Sequence, residues 1–227
     1  MKIALCFSGE ARSFEKGYEY YKKNLLNSLH IVDVYIHTWS FPESNKLLEL
    51  YKPKAYIIED KPEVGDYNKK YPNTPEPQNR PPWNAYCMFY SMIKVSELID
   101  GEYDWVIKSR TDYAMNVSIP FHNLDNSKLY IPNCRMVPER DFGNDQFAFS
   151  SQQNMMKYMS VCNHIDEYYD KGTVYIGENM MQANLRKHGL CGENLVYVNM
   201  NNPFPPGKYN GTWHSLIRDD MNQWVKY

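Results

Sequence analysis

Short apolar runs alternate with stretches of helical spacing along most of the chain. Ile3 to Phe7 is an almost unbroken apolar run, the pattern of a buried strand. A small polar loop follows, Ser8-Gly9-Glu10-Ala11-Arg12-Ser13, and then Phe14, Tyr18, Tyr21 and Leu25 recur at helical spacing. Ile31 to Ile36 predicts a second strand, Leu47, Leu48 and Tyr51 a short helix, and Lys54 to Ile58 a third strand. Trp83 to Ile99 is the clearest predicted helix, with Tyr86, Phe89, Tyr90 and Ile93 on one face. It leads into Trp105-Val106-Ile107, a run suited to a central strand. Polarity then changes abruptly to Lys108, Ser109, Arg110, Thr111 and Asp112. Lys128 to Pro132, Phe147 to Phe149 and Leu195 to Val198 predict three further strands. Ser150 or Ser151 is the expected N-cap of a helix running through Tyr158, and Glu178 opens another helix, where the dipole alone favours a carboxylate.

This order of strands and helices predicts an α/β fold: one Rossmann-like domain over 1–227, its central, mostly parallel mixed sheet flanked by helices. Residues 60–82 interrupt the pattern. Pro62, Pro72, Pro75, Pro77, Pro81 and Pro82 crowd that stretch, which reads as a long loop and a flap beside the site. The segment 200–227 is rich in Pro, Gly and polar residues and is expected to close over the site.

Composition narrows the class only a little. With 227 residues the chain is long enough for a single self-sufficient core. A net charge of −2 gives no bulk attraction for nucleic acid. The five cysteines are scattered, with no CxxC spacing, so a structural zinc site is not expected and a reduced, cytoplasmic setting is. The opening MKIALCFSGE carries too few apolar residues for a signal peptide, and no membrane span is expected.

In open α/β sheets, ligands bind beyond the carboxyl ends of the strands. That rule picks out several residues. Gly9 allows close backbone approach after the first strand, and Arg12 can pair with a phosphate, although the loop is neither GxGxxG nor a P-loop. His37, Thr38 and Trp39 end the second strand. Trp39 suits stacking on a base or, equally, lidding the core. Ser91 and Lys94 lie near the apolar face of the long helix, within reach of a ligand there. Asp112 sits where a metal ion or a sugar hydroxyl would be met, or caps a turn. Asp145, beside a Gly-Asn turn, is a candidate base. In the tail, Lys208 and Arg218 are candidate diphosphate holders, and His214 a candidate metal ligand.

The SGxxR opening, VDVYIHTW, WVIKSRTDY and GNDQFAFS occur in an order that resembles the small GT-A glycosyltransferases. The likeness is to the capsid-glycosylating transferases of large algal viruses and to bacterial polysaccharide transferases. It runs from Lys2 to about Asp220. It implies a nucleotide-diphosphate sugar donor (a UDP-sugar favoured), a glycan or glycoprotein acceptor, and manganese or magnesium; for a viral protein the setting would be the host cytoplasm. The family's DxD metal motif reads Arg110-Thr111-Asp112 here, so the first acid is replaced by Arg110, a candidate donor contact. On the resemblance, Asp112 and His214 hold the metal, while Ser8, Gly9, Arg12, Thr38, Trp39, Arg110, Lys208 and Arg218 meet the donor. Asp145 acts on the acceptor. Two alternatives remain open from sequence: a non-catalytic carbohydrate-binding module, and a sugar nucleotidyltransferase, whose Gly-rich triphosphate loop Ser8–Ser13 matches poorly.

Overall fold

The computed structural model describes residues 1–71, 81–115, 117–132 and 144–198, and the backbone of two short paired strands at 215–216 and 225–226. Seven strands form one sheet: β1 (Lys2–Ser8), β2 (Ile31–Trp39), β3 (Ala55–Glu59), β4 (Trp105–Ser109), β5 (Leu129–Pro132), β6 (Ala148–Ser150) and β7 (Leu195–Val198). Their spatial order is β3-β2-β1-β4-β6-β5-β7. The pairs β3–β2, β2–β1, β1–β4 and β5–β7 are parallel, and β6 runs antiparallel to both its neighbours. A mostly parallel mixed sheet is what the alternation predicts.

Helices cover both faces. On one, α1 (Phe14–Tyr21) and α2 (Ser44–Tyr51) pack Phe14, Tyr21, Leu47 and Tyr51 onto Leu5, Phe7, Ile36 and Ile107. On the other, α4 (Pro82–Glu97), α5 (Gln152–Met159), α6 (Ile165–Asp170) and α7 (Gly177–Lys187) pack Phe89, Met92, Tyr158, Met159, Tyr168 and Met181 against Ala4, Cys6 and Val106. Strands covered on both sides carry apolar residues at successive positions, which is why β1 reads as a run and not an alternation.

Several boundaries move. β2 continues through Trp39, three residues past the expected end. The first helix gives way to a π-helical stretch, Lys22–Leu26, whose wide turn faces Asn24 inward to donate to the Met115 carbonyl at 2.6 Å. α4 starts at Pro82, with the proline at a helix start where its missing N–H costs nothing. Its buried stripe runs through Cys87, Ser91, Met92, Val95 and Ser96, while Tyr86, Tyr90 and Ile93 are only partly covered. The sequence reading places Ser91 near the apolar face, within reach of a ligand, and gives Ser96 no role. Ser96 makes itself compatible by donating to the Ile93 carbonyl at 2.7 Å.

The stretch expected as a loop over 60–82 contains a short helix, α3 (Tyr67–Lys70). Tyr67 packs its ring against Trp83, Tyr86 and Tyr71, and Tyr71 is buried. Aromatics, not aliphatics, anchor this stretch to α4. Residues 72–80 lie outside the described part.

Candidate functional site

A cavity of about 440 Å³ opens at the carboxyl ends of β1 and β4. Ser8, Gly9, Glu10 and Arg12 line it from the first strand and its loop, Lys108 and Arg110 from β4, and Asp145 and Glu178 from the approach to β6 and the start of α7. Trp39, Lys61 and Trp83 are also among the residues that line it. Of the residues picked from sequence, Ser8, Gly9, Arg12, Trp39, Arg110 and Asp145 meet here. Thr38 and Asp112 do not line the cavity. Lys208, His214 and Arg218 lie outside the described residues.

Each wall is held by local chemistry. Gly9 has φ +99°, a backbone conformation that side chains rarely adopt, so the turn after β1 requires glycine. Its N–H is not offered to a ligand, as sequence suggested, but donates to Ser91 Oγ at 2.6 Å. Ser91 in turn lies 2.7 Å from His37 Nδ1, and His37 Nε2 lies 3.0 Å from Glu59 Oε1. The carboxylate requires the proton on Nε2, so the Ser91 hydroxyl donates to Nδ1. Burial lowers the His37 pKa despite the opposing pull of Glu59, which keeps the ring neutral at pH 7. Ser91 and His37 therefore act beneath the loop and not on a ligand. Lys94 also turns away, pairing with Glu97 at 3.1 Å.

The turn after β4 is clamped onto α1. Tyr21 Oη bonds Ser109 Oγ, and Thr111 Oγ1 donates to the Arg12 carbonyl at 3.1 Å. A Cβ on Gly17 would lie 1.8 Å from the Thr111 carbonyl oxygen, so only glycine lets α1 approach this closely. Sequence reasoning gave Gly17 no role, because a helical glycine announces close packing only when its neighbour is known.

Clamping fixes an ion pair. Arg110 Nε donates to Asp112 Oδ1 at 2.7 Å and Arg110 Nη2 to Asp112 Oδ2 at 2.6 Å. Asp112 is wholly buried, while the arginine retains some exposure toward the cavity. The carboxylate expected to face a metal thus has both oxygens engaged by its neighbour two residues back.

In the sequence Lys108 reads only as the start of a polar stretch, yet it is a buried cation of the site. It is 1% exposed, and its Nζ donates to the Asp145 carbonyl. Burial pulls its pKa down to about 8, with Asp145 opposing the shift. Asp145 itself stands on an Asx turn, in which Asn144 Oδ1 accepts from Gln146 N at 2.8 Å and Phe147 N at 3.3 Å. Tyr158 Oη anchors the turn by donating to the Asn144 carbonyl. The Asp145 carboxylate reaches the start of α7: Oδ2 would be 3.9 Å from a Cβ on Gly177. Glu178 is in the first turn of α7, as the dipole argument predicts, and lines the cavity as well. At the rim Glu10 pairs with both Arg12 and Lys61, and those cations hold its carboxyl below the usual range although burial opposes them.

Among the described residues, two buried hydroxyls lack a hydrogen-bond partner near the site, Ser8 Oγ and Thr38 Oγ1. Ser8 lines the cavity. A buried hydroxyl without a partner is costly, and a polar ligand in the cavity would remove that cost.

No protein-family profile matches this chain, and no curated protein does. Solved structures do. The galactosyltransferase LgtC, in complex with donor and acceptor sugar analogs, is similar over 88% of this chain and 73% of its own, with TM-score 0.52 and 12% identity. An active-site mutant of LgtC gives the same values. The glycosyltransferase GlyE of Streptococcus pneumoniae TIGR4 is similar over 88% of this chain and 46% of its own, at TM-score 0.48 and 10% identity. The likeness shows that this chain shares the fold of LgtC: one α/β domain built on a seven-stranded mixed sheet flanked by helices.

Proposed function

We propose that this protein transfers a sugar from a nucleoside-diphosphate donor, a UDP-sugar favoured, to a hydroxyl of a glycan or glycoprotein. The observation that carries this reading is one cavity, at the strand ends, that joins cations for a diphosphate to carboxylates for a hydroxyl. In the reaction the bond between the sugar C1 and the diphosphate oxygen breaks, and a bond from the acceptor oxygen to C1 forms. The acceptor proton passes to the Asp145 carboxylate if the configuration inverts; in a retaining reaction it passes to an oxygen of the leaving diphosphate, and Asp145 orients the donor sugar. The nucleoside diphosphate leaves. Lys108, Arg110 and Arg12 offer charge-assisted hydrogen bonds to its oxygens, and Trp39 offers a ring face to the base or sugar. The tail cations Lys208 and Arg218 belong to the same reading. Among the described residues no helix is long and apolar enough to cross a membrane.

The divalent metal implied by the resemblance does not fit the residues described. Asp112 gives both oxygens to Arg110, and no group of three or more His, Cys, Asp or Glu side chains is arranged to hold a metal among the described residues. His214 lies outside them. No step above is routed through a metal.

The test is nucleoside-diphosphate release from UDP-glucose, UDP-galactose and GDP-mannose in the presence of simple sugar acceptors. One donor should be consumed, and Asp145→Ala should lower that turnover by roughly 100-fold or more while nucleotide affinity stays within about threefold. An Asp145→Ala protein that transfers at the wild-type rate would return this residue to a structural role. Sugar binding with no nucleotide dependence would favour the carbohydrate-binding reading, and pyrophosphate release from a nucleoside triphosphate the nucleotidyltransferase.

A further inference from the structure

We infer that Lys108 and Arg110 hold the donor diphosphate directly, so that nucleotide binds this site without a divalent metal. The inference rests on the nucleotide-sugar reading and goes beyond it by making these contacts sufficient for nucleotide binding without a metal.

The first ground is the Arg110–Asp112 pair. It is bidentate, with one partner wholly buried. A metal reaching Asp112 would have to displace the guanidinium from a wholly buried carboxylate and break both hydrogen bonds, which is strongly unfavourable. Where a DxD site would set a second carboxylate, this chain sets a cation. The pair thus replaces an acidic, cation-seeking corner by one that offers N–H donors. Asp112 engages only one edge of the guanidinium, and the group lines the cavity.

The second ground is Lys108. An ammonium buried to 1% exposure is unusual unless something makes use of its charge. Its one described hydrogen bond goes to a backbone carbonyl, that of Asp145, not to a carboxylate. A carbonyl satisfies one N–H and leaves the positive charge unneutralised by contact. The remaining N–H groups belong to a side chain that lines the cavity. An anion placed there regains for the ammonium what burial has removed, and so keeps it protonated.

The third ground is independent of charge. Ser8 lines the same cavity, and its Oγ is buried with no hydrogen-bond partner among the described residues. A phosphate oxygen is a suitable acceptor for that hydroxyl, whereas a metal ion would need other oxygens around it. Three donor groups, Ser8, Lys108 and Arg110, thus come from the ends of adjacent parallel strands β1 and β4. Arg12 and Lys61 add exposed cations at the rim, each paired with Glu10. Fixed cations of this kind also stabilise charge that grows on the leaving diphosphate, the service a metal would otherwise perform.

The experiment is calorimetric titration of the whole chain with UDP, GDP and inorganic pyrophosphate, in chelator and in millimolar manganese. UDP or GDP should bind in chelator within about threefold of its affinity in manganese, and pyrophosphate should compete with it in chelator. Lys108→Met should weaken that binding by roughly 30-fold, the loss of a charge-assisted contact. Nucleotide binding that appears only with manganese overturns the inference and leaves the nucleotide-sugar reading standing. Binding without competition from pyrophosphate also overturns it, because recognition then lies in the nucleoside. Metal-free binding undiminished in Lys108→Met removes Lys108 from the assignment. No binding under either condition sinks the inference together with the reading it rests on. The wild-type arms need no variant, so a Lys108→Met protein that fails to fold does not blunt the test.

Discussion

The two ends of the same sheet both gather charged and polar groups, and they do so differently. At the amino end, Tyr103 Oη donates to Asp33 Oδ2 at 2.6 Å, and Tyr35 Oη lies 2.5 Å from Tyr103 Oη. Lys54 Nζ closes the cluster through Asp33 at 3.4 Å and the Asp100 carbonyl at 3.0 Å. The groups satisfy one another, and Lys54 stays partly in water. At the carboxyl end, Lys108 is buried against a carbonyl, Asp112 is sealed beneath Arg110, and Ser8 has no described partner, all around an open cavity. A cluster of polar groups is therefore not what marks a site here. Polarity left incompletely answered beside a space is, because only there does a ligand gain what the protein has not already made.

The largest effect should come from breaking the sealed pair. Asp112→Asn leaves the Arg110 guanidinium without its counter-charge and should lower the unfolding free energy by about 3 kcal/mol, read from the urea midpoint. A change under about 1 kcal/mol would mean that water already screens the pair and that the two ends are alike.

A smaller, pH-dependent effect belongs to Lys108. Its folded pKa of about 8 lies below the unfolded lysine value near 10.4, so the unfolded chain holds more protons between those limits. Its contribution to stability accordingly rises as pH increases from about 8 toward 10. The limiting size is on the order of 3 kcal/mol. Buried thiols and phenols with raised pKa values, such as Cys6 and Tyr113, act in the opposite sense at the alkaline end. The informative quantity is thus the wild-type minus Lys108→Met difference in unfolding free energy, measured from pH 7 to 9.5. It should climb with pH, and a flat difference would place Lys108 in contact with water.

The smallest effect should be at the other end. Asp33→Asn weakens a partly solvated cluster and should cost about 0.5–1 kcal/mol with no change in nucleotide affinity. An affinity loss in that variant would show that the two ends communicate through β1 and β2.

Much of this architecture was legible in the chain because its cause is local. Ile3–Phe7, Trp105–Ile107 and Leu195–Val198 are apolar runs, and a run of that length has few places to go except a covered strand. The rule that ligands meet strand ends pointed to Gly9, Arg12 and Trp39, the Gly-Asn turn to Asp145, and the family resemblance to Ser8 and Arg110, and all six line the same cavity. Short elements escaped. α3 and α6 are four and six residues long, too short for a helical period to show, and their aromatics read equally well as loop. Ser91 was singled out but given a different role, since a serine on a helix face reads as a ligand contact until Gly9 and His37 are found beside it.

What the sequence determined by itself was the alternation of strands and helices, the need for glycine after β1, and the set of charged residues delivered to the strand ends. These follow from periodicity and from backbone geometry, which act over a few residues. Only the tertiary structure decided how those charges are used. Whether Arg110 takes Asp112 or leaves it to a metal, whether Lys108 reaches solvent or is buried, and whether Gly17 must be glycine all depend on what packs from α1, β1 and β6, segments far apart in the chain. The free energy of a charge is set by its whole surroundings, and the surroundings exist only once the chain has folded.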